Sequence, residues 1–187
     1  MISMRCVVLF LDVHEFSKAA LGLGERLGEF VQEFYEAMGE HIVEAHGTIV
    51  KYMGDAMLAV FADKAEAPAV RCALAMRSTF AGLVRKWGLA QTTELEVGIT
   101  AGPVVRGTFG HGSLRIEDVF GEAVNVASVI GHIRGVTVTE GVYARIKGAF
   151  AVTPLEPWRL KWREEPVSLW AVAEEGSART DPATRRG

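Results

Sequence analysis

Cysteine is scarce: among 187 residues only Cys6 and Cys72 occur, each in apolar surroundings. That excludes a disulfide-stapled scaffold, and two buried thiols in a reducing cytoplasm are expected instead. Long hydrophobic runs are missing as well. The longest, Cys6–Leu11, falls far short of the roughly 20 apolar residues that a membrane span needs, and Met1–Arg5 ahead of it lacks the layout of a signal peptide. Nor does one sign of charge dominate, since 20 Lys and Arg against 23 Asp and Glu leave a formal net charge of −3. Such a balance gives no global pull toward nucleic acid or an anionic membrane, so neither is expected as a partner. Any polyanion has to be held locally, by metals or by a few placed cations. No repeat or linker divides the chain, and one domain over residues 1–175 is expected, followed by a disordered tail at 176–187.

Apolar residues, at 49%, are plentiful, and their spacing is informative. Met4–Leu11 reads as a buried strand, short and rich in valine. From about Glu25 to Ala45 the period becomes helical: Leu27, Phe30, Val31, Phe34, Met38, Ile42 and Ala45 recur at three- and four-residue steps, and Gly47 supplies a stop. Thr48–Met53 and Ala56–Phe61 are strand-like runs joined through Gly54-Asp55, a hairpin signal. A second helix is predicted over Glu66–Trp87 and a further strand over Leu95–Thr100. This order, β-α-β-β-α-β, predicts an α+β fold with a ferredoxin-like core, an antiparallel sheet and helices on one face. A glycine-rich stretch, a strand near Ile116–Phe120, a helix over Glu122–Ile130 and shorter C-terminal strands and helices extend it.

Two carboxylates stand out. Asp12 lies where the first strand runs out, and Asp55 lies at the tip of the hairpin. In a β-α-β-β sheet the first strand pairs beside the hairpin, so both converge at one end. Hard oxygen ligands with open positions suit magnesium, which completes its shell with water and substrate phosphates. Taken singly, Gly-Asp is a common turn and Asp12 a plausible helix cap. His14 reads as a solvent-facing loop residue rather than a third ligand, because no other histidine has ligand-like spacing to it.

Four blocks together, FLDVHEFS (10–17), GTIVKYMGDAMLAVF (47–61), VGITAGPVVRGTFG (97–110) and DVFGEAVNVAS (118–128), resemble the catalytic domain of class III adenylyl and guanylyl cyclases. The resemblance spans about residues 5–173. It implies a head-to-tail homodimer with active sites at the interface, and two metal ions per site, Mg2+ or Mn2+, on Asp12 and Asp55. Val13 to Ser17, with Phe16 between them, match the turn whose backbone N–H groups hold the triphosphate, a sound kind of anion site. Lys51 and Asp118 match the pair that reads the base, Asn125 the residue that orients the ribose, and Lys161, with Arg163 beside it, a phosphate-binding lysine. An ammonium that donates to adenine N1 and a carboxylate that accepts from the 6-amino group would mispair with guanine. ATP is therefore the expected substrate, and an adenylate cyclase the expected enzyme.

One position departs from the pattern. Four residues after the asparagine, on the same helical face, the family carries an arginine where this chain has Val129. By analogy with arginine fingers, such a group contributes roughly 10³–10⁵ in rate. Arg134, Arg106 and Arg115 are the cations near enough in sequence to be considered as substitutes. Alternative readings are a nucleotide-binding regulatory module of low or no activity, or a domain that pairs with a related, arginine-bearing cyclase chain. A polymerase-like or cyclic-dinucleotide synthase would share the core, but Lys51, Asp118 and the NVAS helix argue against it.

Overall fold

The computed structural model describes residues 1–173; the tail expected at 176–187 lies outside the described residues. The chain runs β1 (Ile2–Val13), α1 (Phe16–Leu23), a 3-10 turn (Gly24–Arg26), α2 (Leu27–Glu44), β2 (Thr48–Met53), β3 (Ala56–Ala62) and α3 (Glu66–Trp87). It continues with β4 (Leu95–His111), β5 (Leu114–Phe120), α4 (Glu122–Ile130), β6 (Val136–Thr139), α5 (Glu140–Ile146), β7 (Ala151–Trp158) and β8 (Val167–Ala173). One sheet holds the strands in the order β2-β3-β1-β4-β6-β8-β7, and β5 pairs with β4 off that path. Pairing is antiparallel except between β4 and β6. The α+β class and the βαββαβ core predicted from the sequence are both present.

Strand β1 is central and buried on both faces, as its unbroken apolar run requires. Its odd residues Val7, Leu9, Leu11 and Val13 join Phe30, Phe34, Met38 and Ile42 of α2 and Met76 and Phe80 of α3 in the larger core. Its even residues Cys6, Val8 and Phe10 turn the other way, onto Leu58, Val60, Ala123 and Ala127. Helix α4 thus covers the second face, where helices on one face alone had been expected. Two-sided burial of β1 demands that cover, because a strand's side chains alternate between faces. Cys6 and Cys72 consequently sit in different cores on opposite sides of the sheet. Both are free, and burial pushes the Cys72 thiol up to about 12.

Two elements differ from the periodicity-based expectation. Helix begins at Phe16 rather than near Glu25, and Gly24 (φ 55) ends α1 before α2 starts. Three glycines (22, 24 and 28) mask the helical signal there, while Ala19 and Leu23, buried in the fold, override the poor propensity. Strand β4 does not stop at Thr100 but continues through the glycine-rich stretch to His111, pairing with β5 over its outer half.

Glycine at position 98 decides how close α4 sits. A Cβ there would lie 2.5 Å from both the Ala127 carbonyl oxygen and the Gly131 nitrogen, so the helix C-terminus rests directly on the strand backbone. Gly98→Ala must displace backbone atoms, and is expected to lower the unfolding free energy by about 1–3 kcal/mol, read from the denaturant midpoint.

Candidate active site

The end of β1 places Asp12 half-buried, in register with Glu96 on β4. Both share the face covered by α4. The loop after α4 returns to the same spot: a Cβ on Gly131 would meet Phe10 Cδ1 at 2.5 Å, so glycine lets the chain press against β1. His132 follows, packed edge-on to Phe10, with its Nδ1 3.0 Å from Asp12 Oδ2. Burial raises the Asp12 carboxyl above its usual range, and the neighbouring imidazole only partly offsets this.

Glu96 is 3% exposed, and burial raises its carboxyl too. Its Oε1 faces His14 Nδ1 at 3.0 Å. Arg134 Nη2 lies 3.2 Å from His14 Nε2. A guanidinium only donates, so His14 Nε2 accepts and the ring proton sits on Nδ1, the atom that faces Glu96. Arg134 is in turn held by Glu94, Nε to Oε1 at 3.3 Å, and Glu94 also pairs with Arg77 at 2.8 Å. His14 is therefore a half-buried, doubly engaged residue and not the solvent-facing loop histidine expected from the sequence. The short distance from β1 to β4 draws it in, through its own N–H to the Glu94 carbonyl at 2.9 Å.

Asp55 sits at the hairpin tip beside Gly54 (φ 68). Tyr35 anchors that tip by donating to the Gly54 carbonyl at 2.5 Å and stacking on Tyr52 with centroids 4.2 Å apart. Burial raises the Asp55 carboxyl, and the negative charge of Asp12 raises it further. Two half-buried carboxylates, one of which is raised further by the other's charge, fit a divalent cation, which would relieve both desolvation and repulsion. Between them and α2, the left-handed Glu15 (φ 59) turns the chain sharply from β1 into α1. The amides of Phe16 and Ser17, at the first turn of α1, have no intrahelical carbonyl to bond. Val13 is buried and Ser17 exposed there.

Lys51 reaches the same face through an irregularity. Ile49 pairs with Ala59 but Lys51 pairs with Leu58, so Val50 is an extra residue in β2. Regular alternation would keep Ile49 and Lys51 on one side; the bulge turns Lys51 to the α4 side. There its Nζ donates to Asp118 Oδ2 at 2.7 Å, lying over the Phe120 ring, 5.9 Å from its centroid. Asp118 is buried, and its Oδ1 accepts from the Val119 N–H at 2.8 Å, which fixes the carboxylate plane.

Asn125 is exposed on α4. One turn on, Val129 is half-buried and packs against the cluster of Val126, Ile130, Leu160, Val167 and Leu169. Lys161 is exposed in the connection before β8, and Arg163 in that connection pairs with Glu122 in the first turn of α4 at 3.4 Å. Arg134 is engaged with His14 and Glu94, and Arg106 with Glu117 at 3.1 Å. Arg115 is exposed on β5.

Glu96 and His132 escaped the sequence reading. A single acid inside the apolar alternation LEVGIT was the available signal for Glu96. His132, in a loop, carries no pattern of its own.

A two-sided α+β sheet thus carries half-buried carboxylates at one strand end and a Lys–Asp pair on the same face. The sequence model of the adenylate and guanylate cyclase catalytic domain matches residues 3–173, and the chain belongs to that family. It is 28% identical over 184 residues to an adenylate cyclase of Anabaena cylindrica, covering 90% of this chain and 36% of the relative. The chain thus spans about a third of that protein's length. Among solved structures, the adenylyl cyclase CyaB from P. aeruginosa superposes with a TM-score of 0.85 at 24% identity, covering 94% of this chain and 97% of that one. The guanylyl cyclase Cya2 gives 0.81 at 23% identity, covering 92% and 93%.

The raised carboxyl of Asp55 has a consequence for stability. The folded state holds this proton more tightly than the unfolded chain, so stability falls as pH rises through and above the usual carboxylate range. Without divalent ions, Asp55→Asn is expected to unfold at a higher denaturant concentration than the wild type at pH 7. The two proteins should converge in acid, below that range, where Asp55 is neutral in both states.

Proposed function

We propose that this domain converts ATP to 3′,5′-cyclic AMP and pyrophosphate at the interface of a homodimer. The observation that carries the reading is the Lys51–Asp118 pair, 2.7 Å apart on the same face as Asp12 and Asp55. A base needs one donor and one acceptor held rigidly, and the Val119 amide already fixes the carboxylate. Lys51 donates to adenine N1 and Asp118 accepts from the 6-amino group. Guanine presents the opposite pattern, leaving buried Asp118 and half-buried Lys51 both mispaired.

The two halves of the site lie at opposite ends of α4. Asp118 precedes its N-terminus by four residues, and His132, beside Asp12, follows its C-terminus. Nine helical residues separate these ends by roughly 13 Å. A second copy related by a two-fold axis sets the carboxylate end of one chain against the base-reading end of the other. Exposed Val105, Leu114, Ile116 and Phe120 on the β4–β5 ribbon, with Ile2 and Met4 alongside, support a covered surface in that region.

Asp12 and Asp55 would hold two Mg2+ or Mn2+ ions, which supply charge neutralisation and Lewis-acid polarisation at the phosphates when bound. The first-turn amides after Val13 receive triphosphate oxygens, and Lys161 adds a cation. Asn125 orients the ribose so that its 3′-oxygen attacks the α-phosphorus in line and pyrophosphate leaves. Positioning of this kind is the main catalytic resource left to the protein. Val129 points into an apolar cluster and offers nothing to the charge developing on the phosphoryl group. That packing favours a slow enzyme, and it is also the observation behind a second reading, a nucleotide-binding regulatory module that turns over little or not at all.

The deciding assay measures cyclic AMP from ATP with Mn2+ or Mg2+ in wild type, Asp55→Ala and Val129→Arg. Wild-type product that disappears in Asp55→Ala is expected, with Val129→Arg faster by at least about tenfold, a modest share of what an arginine contributes elsewhere. A silent wild type awakened by Val129→Arg would select the regulatory reading, and silence in both would refute the cyclase. Lys51→Ala is expected to raise KM for ATP and to narrow the preference for ATP over GTP, measured as the ratio of kcat/KM values.

A further inference from the structure

Glu96 and His132 are not needed for two ions on Asp12 and Asp55, yet they converge on Asp12. Donor atoms of Asp12, Glu96 and His132 all lie within 4.8 Å of one another. The structure assigns to these three residues a transition-metal site, one that takes Zn2+ in preference to Mg2+.

Three features build this site. Imidazole nitrogen with two carboxylates is a borderline donor set, which favours zinc and its neighbours over magnesium, an ion that prefers oxygen and water. Next, the 3.0 Å between His132 Nδ1 and Asp12 Oδ2 needs to open only by a few tenths of an ångström to reach the roughly 3.3–3.6 Å that separates two donors on one tetrahedral zinc with bonds of about 2.0–2.2 Å. A metal there takes the Nδ1 lone pair, and the neutral ring then carries its single proton on Nε2. Finally, Glu96 is aimed and supported from behind. His14 Nδ1 lies 3.0 Å from Oε1, Arg134 fixes the His14 tautomer, and Glu94 holds Arg134. Glu96 is itself buried, and one of its carboxylate oxygens lies within 4.8 Å of the Asp12 and His132 donor atoms. Backing of metal ligands by such outer partners is typical of sites that bind rather than merely border a metal. His132 is the exposed member, with 57% of its side chain accessible, and its rotation can close the remaining gap.

Calorimetric titration of the metal-free protein with Zn2+, without nucleotide, tests the assignment, and Co2+ absorption reports nitrogen and carboxylate coordination. One Zn2+ per chain is expected, with affinity lowered far less by Asp55→Ala than by His132→Ala. His14→Gln should weaken binding about 10–100-fold, the usual effect of an outer-shell partner. His132→Ala should weaken it more and abolish the Co2+ bands, and Glu96→Gln should also lose tight binding. Removal of the exposed His132 leaves the fold intact, and thermal melts confirm this for each variant. Undiminished Zn2+ binding in His132→Ala, or loss in Asp55→Ala with retention in His132→Ala, would overturn the assignment. Neither outcome touches the cyclase proposal, which stands or falls on turnover of ATP.

Discussion

Burial of β1 on both faces is the constraint from which the site follows. An apolar strand in the middle of a sheet leaves no face to solvent, so α2 and α3 cover one side and α4 is obliged to cover the other. Close approach of α4 depends on Gly98 and Gly131, where any side chain would strike backbone or Phe10. Once α4 lies against β1 and β4, its two ends fall beside two different groups of polar residues. The N-terminal end neighbours Asp118 and, through it, Lys51; the C-terminal end delivers His132 to Asp12. Packing of an apolar helix thus determines where the charged chemistry can occur.

Charge is concentrated unevenly along that face. Asp12, Asp55 and Glu96 are all raised above the ordinary carboxylate range, chiefly by burial, and the charge of Asp12 raises the other two further. The fold tolerates this at rest by lending imidazoles and a guanidinium: His132 to Asp12, His14 to Glu96, Arg134 to His14. By contrast the Lys51–Asp118 pair is self-neutral and has its carboxylate oriented by a backbone amide. One end of α4 therefore calls for added positive charge, while the other is ready to exchange one hydrogen-bond partner for another.

Much of this was legible in the residues. Strand β1, helices α2 and α3, the hairpin and the convergence of its tip with Asp12 follow from periodicity and turn chemistry, which are local properties. Helix α1 was hidden because three glycines lower its propensity and only tertiary burial of Ala19 and Leu23 restores it. The outer half of β4 read as loop because glycine is rare in strands, whereas here Gly102 and Gly107 admit Ala123 and Met1 at close range. Glu96 and His132 stand 36 positions apart and meet Asp12 only through cross-strand register and the turn after α4. No sequence period encodes such a meeting. Val129 was visible as a departure, but its packing against Leu160 and Val167 depended on where the C-terminal strands came to lie.

The extra residue Val50 has a consequence of another kind. Lys51 to Met53 pair with Leu58 to Ala56 in register from the turn, whereas Thr48 and Ile49 pair with Val60 and Ala59 in register from the other end, and Val50 absorbs the mismatch between the two. Loss of one codon at Val50 would make Ile49 and the lysine consecutive, and ordinary alternation would then leave Ile49 toward α2 and the lysine toward α4. The facing of Lys51 is thus insulated from a one-residue change in strand length ahead of it. A lineage could gain or lose that residue in one genetic event and keep the Lys51–Asp118 pair and the scaffold together.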